Sequence, residues 1–93
     1  MNVNKIITIV REINLQYNNV VPMVCYLADI QALNDADPSE RKRGIENNTA
    51  IIKSGIIDEL WMFGEWWNSK GCLAEIELAS SLSIPVVYKT QKP

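Results

Sequence analysis

One stretch constrains this chain more than any other: Asp58 to Ala79, DELWMFGEWWNSKGCLAEIELA. An apolar run is followed by a polar segment carrying Trp66 and Trp67, then by residues at helical spacing. That succession reads as a buried strand, a loop and the first turns of a helix. In open α/β sheets, ligands bind at such junctions, outside the carboxyl ends of the strands. The loop offers a hydroxyl at Ser69, a glycine at Gly71 and a carboxylate at Glu75. A glycine lets a ligand approach the backbone. A helix N-terminus presents unpaired N–H groups and partial positive charge, which suit a phosphate. With a helix starting near Gly71, Glu75 stands about one turn in, close to whatever binds there.

The rest of the chain alternates between helical and strand patterns. Lys5 to Tyr17 is ambiguous: the run from Ile6 to Val10 is β-branched, which favours a strand. The wider stripe Ile6, Ile9/Val10, Ile13 and Tyr17 has helical spacing, and a helix is expected. Val20 to Leu27 reads as a short buried strand with Pro22 at its start or on an edge, and Ala28 to Ala36 as a polar loop. Asp37-Pro38-Ser39-Glu40 is a capping-box pattern with proline at the first helical position. The helix it opens should run to about Ser54 and stop at Gly55. Ile56 to Phe63 is a strand apolar on both faces, as parallel strands usually are. Gly71 to Leu82 is a third helix, and Val86 to Tyr88 a last strand. The order α-β-α-β-α-β implies βαβ crossovers and a parallel sheet. A sheet of three strands leaves two open edges, so a homo-oligomer is expected.

Ninety-three residues make one small domain, able to bury only about 60–65% of its unfolded surface. The net charge of −2 argues against general nucleic-acid binding, and Arg41-Lys42-Arg43 is too short a cluster to reverse that. The chain has two cysteines and no histidine, so a zinc site is not expected, nor is any cofactor. Cys25 and Cys72 read as reduced packing residues. Met1 to Val10 lacks a signal-peptide cleavage pattern, and no apolar run approaches the roughly 20 residues of a membrane span. A cytoplasmic location without membrane contact is expected.

Three stretches gain meaning when read together. The first is Ile9 to Leu15 with Val21-Pro22-Met23-Val24. The second runs from Leu33-Asn34-Asp35 through Pro38-Ser39-Glu40-Arg41 to Gly44. The third is Ile57 to Gly64, then Ser69-x-Gly71, Glu75-Ile76 and Ile84-Pro85-Val86. Over Ile9 to Tyr88 this pattern resembles nucleoside 2-deoxyribosyltransferase-like proteins. The closer likeness is to a small branch of uncharacterised phage and bacterial domains in that superfamily. The resemblance implies a small three-layer α/β fold of Rossmann or flavodoxin type. It also implies that the glutamate matching Glu75 is the nucleophile that attacks the anomeric carbon of a deoxyribosyl group. A carboxylate can form such a covalent intermediate. In nucleotide-hydrolase relatives, the serine matching Ser69 helps hold the 5′-phosphate. Family members open with a strand and a Gly/Pro/Tyr-containing loop, whereas this sequence opens at the helix that would follow. The expected fold is therefore truncated at its N-terminus. Where the uncharacterised branch tends to carry Pro-His, this chain has Cys25-Tyr26.

Each candidate residue also has a structural reading. Glu75 could complement the helix dipole, and Ser69 could be a helix N-cap. Trp66 and Trp67 could be core or interface residues rather than platforms for a base. Glu65 is either solvated or an acceptor for a ligand hydroxyl or amino group. Arg41 marks a solvated helix face or pairs with an anionic ligand at that helix's N-terminal end. Tyr26, at the carboxyl end of the first expected strand, could reach a ligand with its hydroxyl.

Three functions are compatible with this reading. The first, and the favoured one, is a degenerate deoxyribosyltransferase-like domain that binds a nucleotide or nucleotide-derived molecule without turnover. A phage-encoded protein could use it to sequester a signalling nucleotide inside its bacterial host. The second is an active N-glycosidase or transferase with Glu75 as nucleophile. The third is a protein-interaction module in which Trp66, Trp67 and the open sheet edges bind a host protein.

Overall fold

The β-branched run from Ile6 to Val10 is helical: α1 spans Val3–Gln16. Ile6 and Ile13 are buried and Ile9 and Val10 half-buried, so the helical stripe outweighs local β preference. The computed structural model describes residues 3–24 and 27–93. The chain forms two compact units, Met1–Asn48 and Thr49–Pro93.

In the N-terminal unit, α1 touches α2, Leu27–Ala32. The next helix, α3, spans Pro38–Lys53 and crosses into the second unit. Gly44 of α3 faces the end of α2: a Cβ there would lie 3.7 Å from Leu33 Cδ1 and 3.8 Å from the Cβ of Asp29. Asp37 caps α3 as its sequence predicts. Its Oδ1 accepts the Ser39 amide at 2.9 Å, the Ser39 hydroxyl at 2.7 Å and the Glu40 amide at 3.4 Å. The reciprocal half of the capping box is diverted, because Glu40 Oε1 accepts the amide of Asn34 at 3.2 Å.

The Ser39 hydroxyl, followed by the amides of Ser39 and Glu40, holds the Asp37 carboxyl below the ordinary carboxylate value of 3.8. A group whose pKa falls on folding stabilises the fold above its unfolded value and loses that contribution as pH drops through its folded value. The difference in helix content between the wild type and Asp37→Ala should therefore be full near neutrality and vanish on acidification below the ordinary carboxylate range. A pH titration followed by circular dichroism checks this; a difference independent of pH would refute it.

In the C-terminal unit, Ile52 near the end of α3 is buried. The helix stops just before Gly55, which takes the left-handed φ of 89° that glycine adopts without a Cβ penalty. β1, Leu60–Met62, and β2, Val86–Tyr88, pair in parallel with Leu60 opposite Val86, Trp61 opposite Val87 and Met62 opposite Tyr88. Between them lie a 3-10 turn, Trp66–Asn68, and α4, Lys70–Ser81. α4 touches both strands. Met62 is 4% exposed and Ala79 fully buried.

The expected three-layer α-β-α-β-α-β sheet of Rossmann or flavodoxin type is therefore corrected. Among the described residues there are four α-helices and one two-stranded parallel sheet. Val20 to Val24 joins no ladder: Pro22 has no N–H to donate, and Val21 is 89% and Met23 51% exposed. An apolar run becomes a strand only where neighbours take its hydrogen bonds. The expected loop after it opens instead as α2. Without a doubly wound sheet, the inference of a truncated first strand also falls. The expected strand from Ile56 to Phe63 shortens to three residues, matching the three of β2. Among the described residues no helix is long and apolar enough to cross a membrane.

Candidate functional site

Ser69 is the N-cap of α4. It is extended, with φ −101° and ψ 118°, and its Oγ accepts the Cys72 amide at 3.2 Å. The Leu73 amide donates to the Ser69 carbonyl at 3.0 Å, the first backbone bond of the helix. The N–H groups of Lys70 and Gly71 precede that bond and so have no acceptor within the helix. Gly71 is exposed, and a Cβ added to it would meet only Ser69 Oγ, at 3.8 Å. Neither packing nor backbone conformation requires glycine at this position. What the missing side chain supplies is open access to the helix head.

Glu75 is the sixth residue of α4, a little over one turn in and about 7.5 Å along the axis from Lys70. It is half-buried and lies four residues after Gly71, on the same face of the helix.

The two loop tryptophans make contacts within the fold. The indole N–H of Trp66 donates to the Thr90 carbonyl at 2.7 Å. Its ring lies 4.6 Å from that of Tyr88, tilted by 40°, and 5.5 Å from that of Trp67, nearly perpendicular at 85°. Both tryptophans are half-buried. The Gly64 amide donates to Thr90 Oγ1 at 3.1 Å, so residues just beyond β2 hold the turn that leaves β1. Glu65 precedes the 3-10 turn, with an exposed side chain that makes no cap bond and a carbonyl that accepts the Asn68 amide.

The C-terminal unit thus gathers Glu65, Trp66, Trp67, Ser69, Gly71 and Glu75 along one short segment. Arg41 belongs to the N-terminal unit, exposed in the first turn of α3, and Tyr26 lies outside the described residues. Sequence reasoning missed Tyr88 and Thr90 as partners of Trp66. A tyrosine ending a strand and a threonine opening a tail carry no pattern that would single them out.

Residues 1–89 match the family described as a domain of unknown function, DUF7768. The chain belongs to that family. The match takes in the first unit, the second as far as Lys89, and every candidate residue, Arg41 and Tyr26 included. No curated protein and no solved structure matches the chain.

Proposed function

We propose that the head of α4 binds the phosphate of a nucleotide or nucleotide-derived small molecule, and that this DUF7768 domain holds its ligand without turning it over. The observation that carries this reading is the pairing of Ser69 with Gly71. A hydroxyl has one donor and two acceptor lone pairs, and the cap uses only an acceptor. The hydroxyl proton remains able to donate to a phosphate oxygen, beside two helix N–H groups that Gly71 leaves approachable. The resemblance of Ser69-x-Gly71-x-x-x-Glu75 to the phosphate-side loop of nucleoside 2-deoxyribosyltransferase-like proteins supports the same ligand class. Sequestration of a signalling nucleotide is the role this reading gives a phage-encoded member. Self-association is part of it, because each strand of the two-stranded sheet keeps an outer edge. The second reading, glycosidic cleavage, draws on the half-buried Glu75 standing on the face of α4 shared with Gly71.

Stoichiometric protein mixed with nucleotides, deoxynucleotides and ADP-ribose-type molecules, then filtered, tests both readings. Chromatography of the filtrate, before and after heat release, should show depletion of one ligand and its intact recovery. Gly71→Ala should fold, gaining about 0.5 kcal/mol from helix propensity, yet retain ligand about tenfold less well, a loss of roughly 1.4 kcal/mol. A free base that disappears in Glu75→Gln would replace binding with cleavage. A panel recovered unchanged would defeat both readings.

A further inference from the structure

We propose that Thr90 is a positioning residue: it clasps the turn from Gly64 to Trp66 and so fixes the segment that leads into Ser69. Two acceptors of this one residue meet that turn. Thr90 Oγ1 takes the Gly64 amide at 3.1 Å and the Thr90 carbonyl takes the Trp66 indole N–H at 2.7 Å. The strand pairing carries Thr90 there. The Lys89 amide donates to the Met62 carbonyl at 2.9 Å, extending the β1–β2 ladder one step past β2. Tyr88 adds its ring against Trp66. The bonds within the turn are local, from the Asn68 amide to the Glu65 carbonyl and from the Ser69 amide to the Trp66 carbonyl. Local bonds shape the turn but do not place it against the sheet. Residues 88–90 contribute to that placement, with Thr90 accepting two long-range hydrogen bonds from the turn.

Gly64 makes the turn dependent on that hold. Its φ of 63° is left-handed, and a glycine leaves that conformation readily because it has no Cβ to restrict it. Releasing one bond of the clasp should therefore loosen the other, since both restrain the same short segment. The consequence for ligand rests on the function proposed above: the clasped segment ends at Ser69, so the clasp sets how well the head of α4 is formed for a phosphate.

Hydrogen exchange followed by NMR on the wild type, Thr90→Val and Thr90→Ser tests the clasp. Valine keeps the β-branched shape and deletes Oγ1; serine restores the hydroxyl. In Thr90→Val the Gly64 amide should exchange about tenfold faster, as expected when one hydrogen bond limits a local opening. The Trp66 indole N–H should also exchange faster by about threefold or more, although its own acceptor carbonyl is intact. Thr90→Ser should return both rates to within about twofold of the wild type, and amides beyond the first turn of α4 should keep their rates throughout. An unchanged Trp66 indole rate, or a uniform acceleration across the C-terminal unit, would overturn the proposal. If Thr90→Val does not fold, Trp66→Phe removes the other bond, and an unchanged Gly64 amide rate there is equally fatal. Nucleotide retention by the same proteins is read separately. Weaker retention in Thr90→Val with recovery in Thr90→Ser supports the link to the site, and equal retention in all three refutes that link. A wild type that retains no nucleotide counts against the proposed function, while the exchange rates still decide the clasp.

Discussion

Ala79→Asp is expected to unfold the C-terminal unit. Ala79 is fully buried, on a helix that touches both strands. Its carbonyl accepts the amides of Leu82 at 3.1 Å and Ile84 at 2.9 Å, closing the turn that delivers the chain to β2. A carboxylate at this position would be buried without a partner, at a cost of about 3–5 kcal/mol. A small domain has only about 5–10 kcal/mol in all. The bulk of the side chain adds to the loss by overpacking, and Ala79→Ser, nearly isosteric, should be far milder. All three tryptophans, Trp61, Trp66 and Trp67, lie in this unit, so their fluorescence during urea denaturation reports on it directly. A wild-type midpoint for Ala79→Asp would show that the helix does not bury this face.

Trp66→Ala should produce the next largest loss, about 2–3 kcal/mol, somewhat below a fully buried Trp→Ala because the ring is half-buried. Trp66→Phe should cost about 1 kcal/mol, the net value of the indole hydrogen bond to the Thr90 carbonyl. The difference between the two variants is then the contribution of the ring, packed against Tyr88 and Trp67. If Trp66 were instead a free platform for a base, both substitutions would leave the urea midpoint in place and lower ligand retention alone. Denaturation and retention measured on the same two variants distinguish the cases.

Legibility in the sequence follows the range of the interactions involved. Where a residue's neighbours in the chain are also its partners, the reading and the structure agree. Asp37-Pro38-Ser39-Glu40 contains its own donors and acceptor, and α3 starts at Pro38. Ser69 meets the Cys72 amide three residues on, and α4 starts at Lys70. The stripe in α1 succeeds at Ile6 and Ile13, whose burial needs only one apolar surface, while Tyr17 falls just past the helix and is exposed. Val20 to Val24 fails for the opposite reason. Its apolar character is compatible with a strand, but a strand exists only if another segment accepts its ladder.

The candidate site divides along the same line. Ser69, Gly71 and Glu75 are near one another in the sequence, so a helix start suffices to bring them together. Trp66 was legible as a residue with two possible uses, and its fold contacts with Tyr88 and Thr90, more than twenty positions away, were not legible in the sequence.

The sequence by itself determined where α1, α3 and α4 form, how α3 and α4 are capped, and that β2 occupies Val86 to Tyr88. Those outcomes depend on spacing, caps and breakers that act within a few residues. Only the tertiary structure decided that, among the described residues, the parallel sheet has two strands rather than three, and that the Trp66 turn is held from beyond β2. Both depend on which distant backbone groups find one another, and hydrogen-bond pairing across a chain is not encoded in any local pattern.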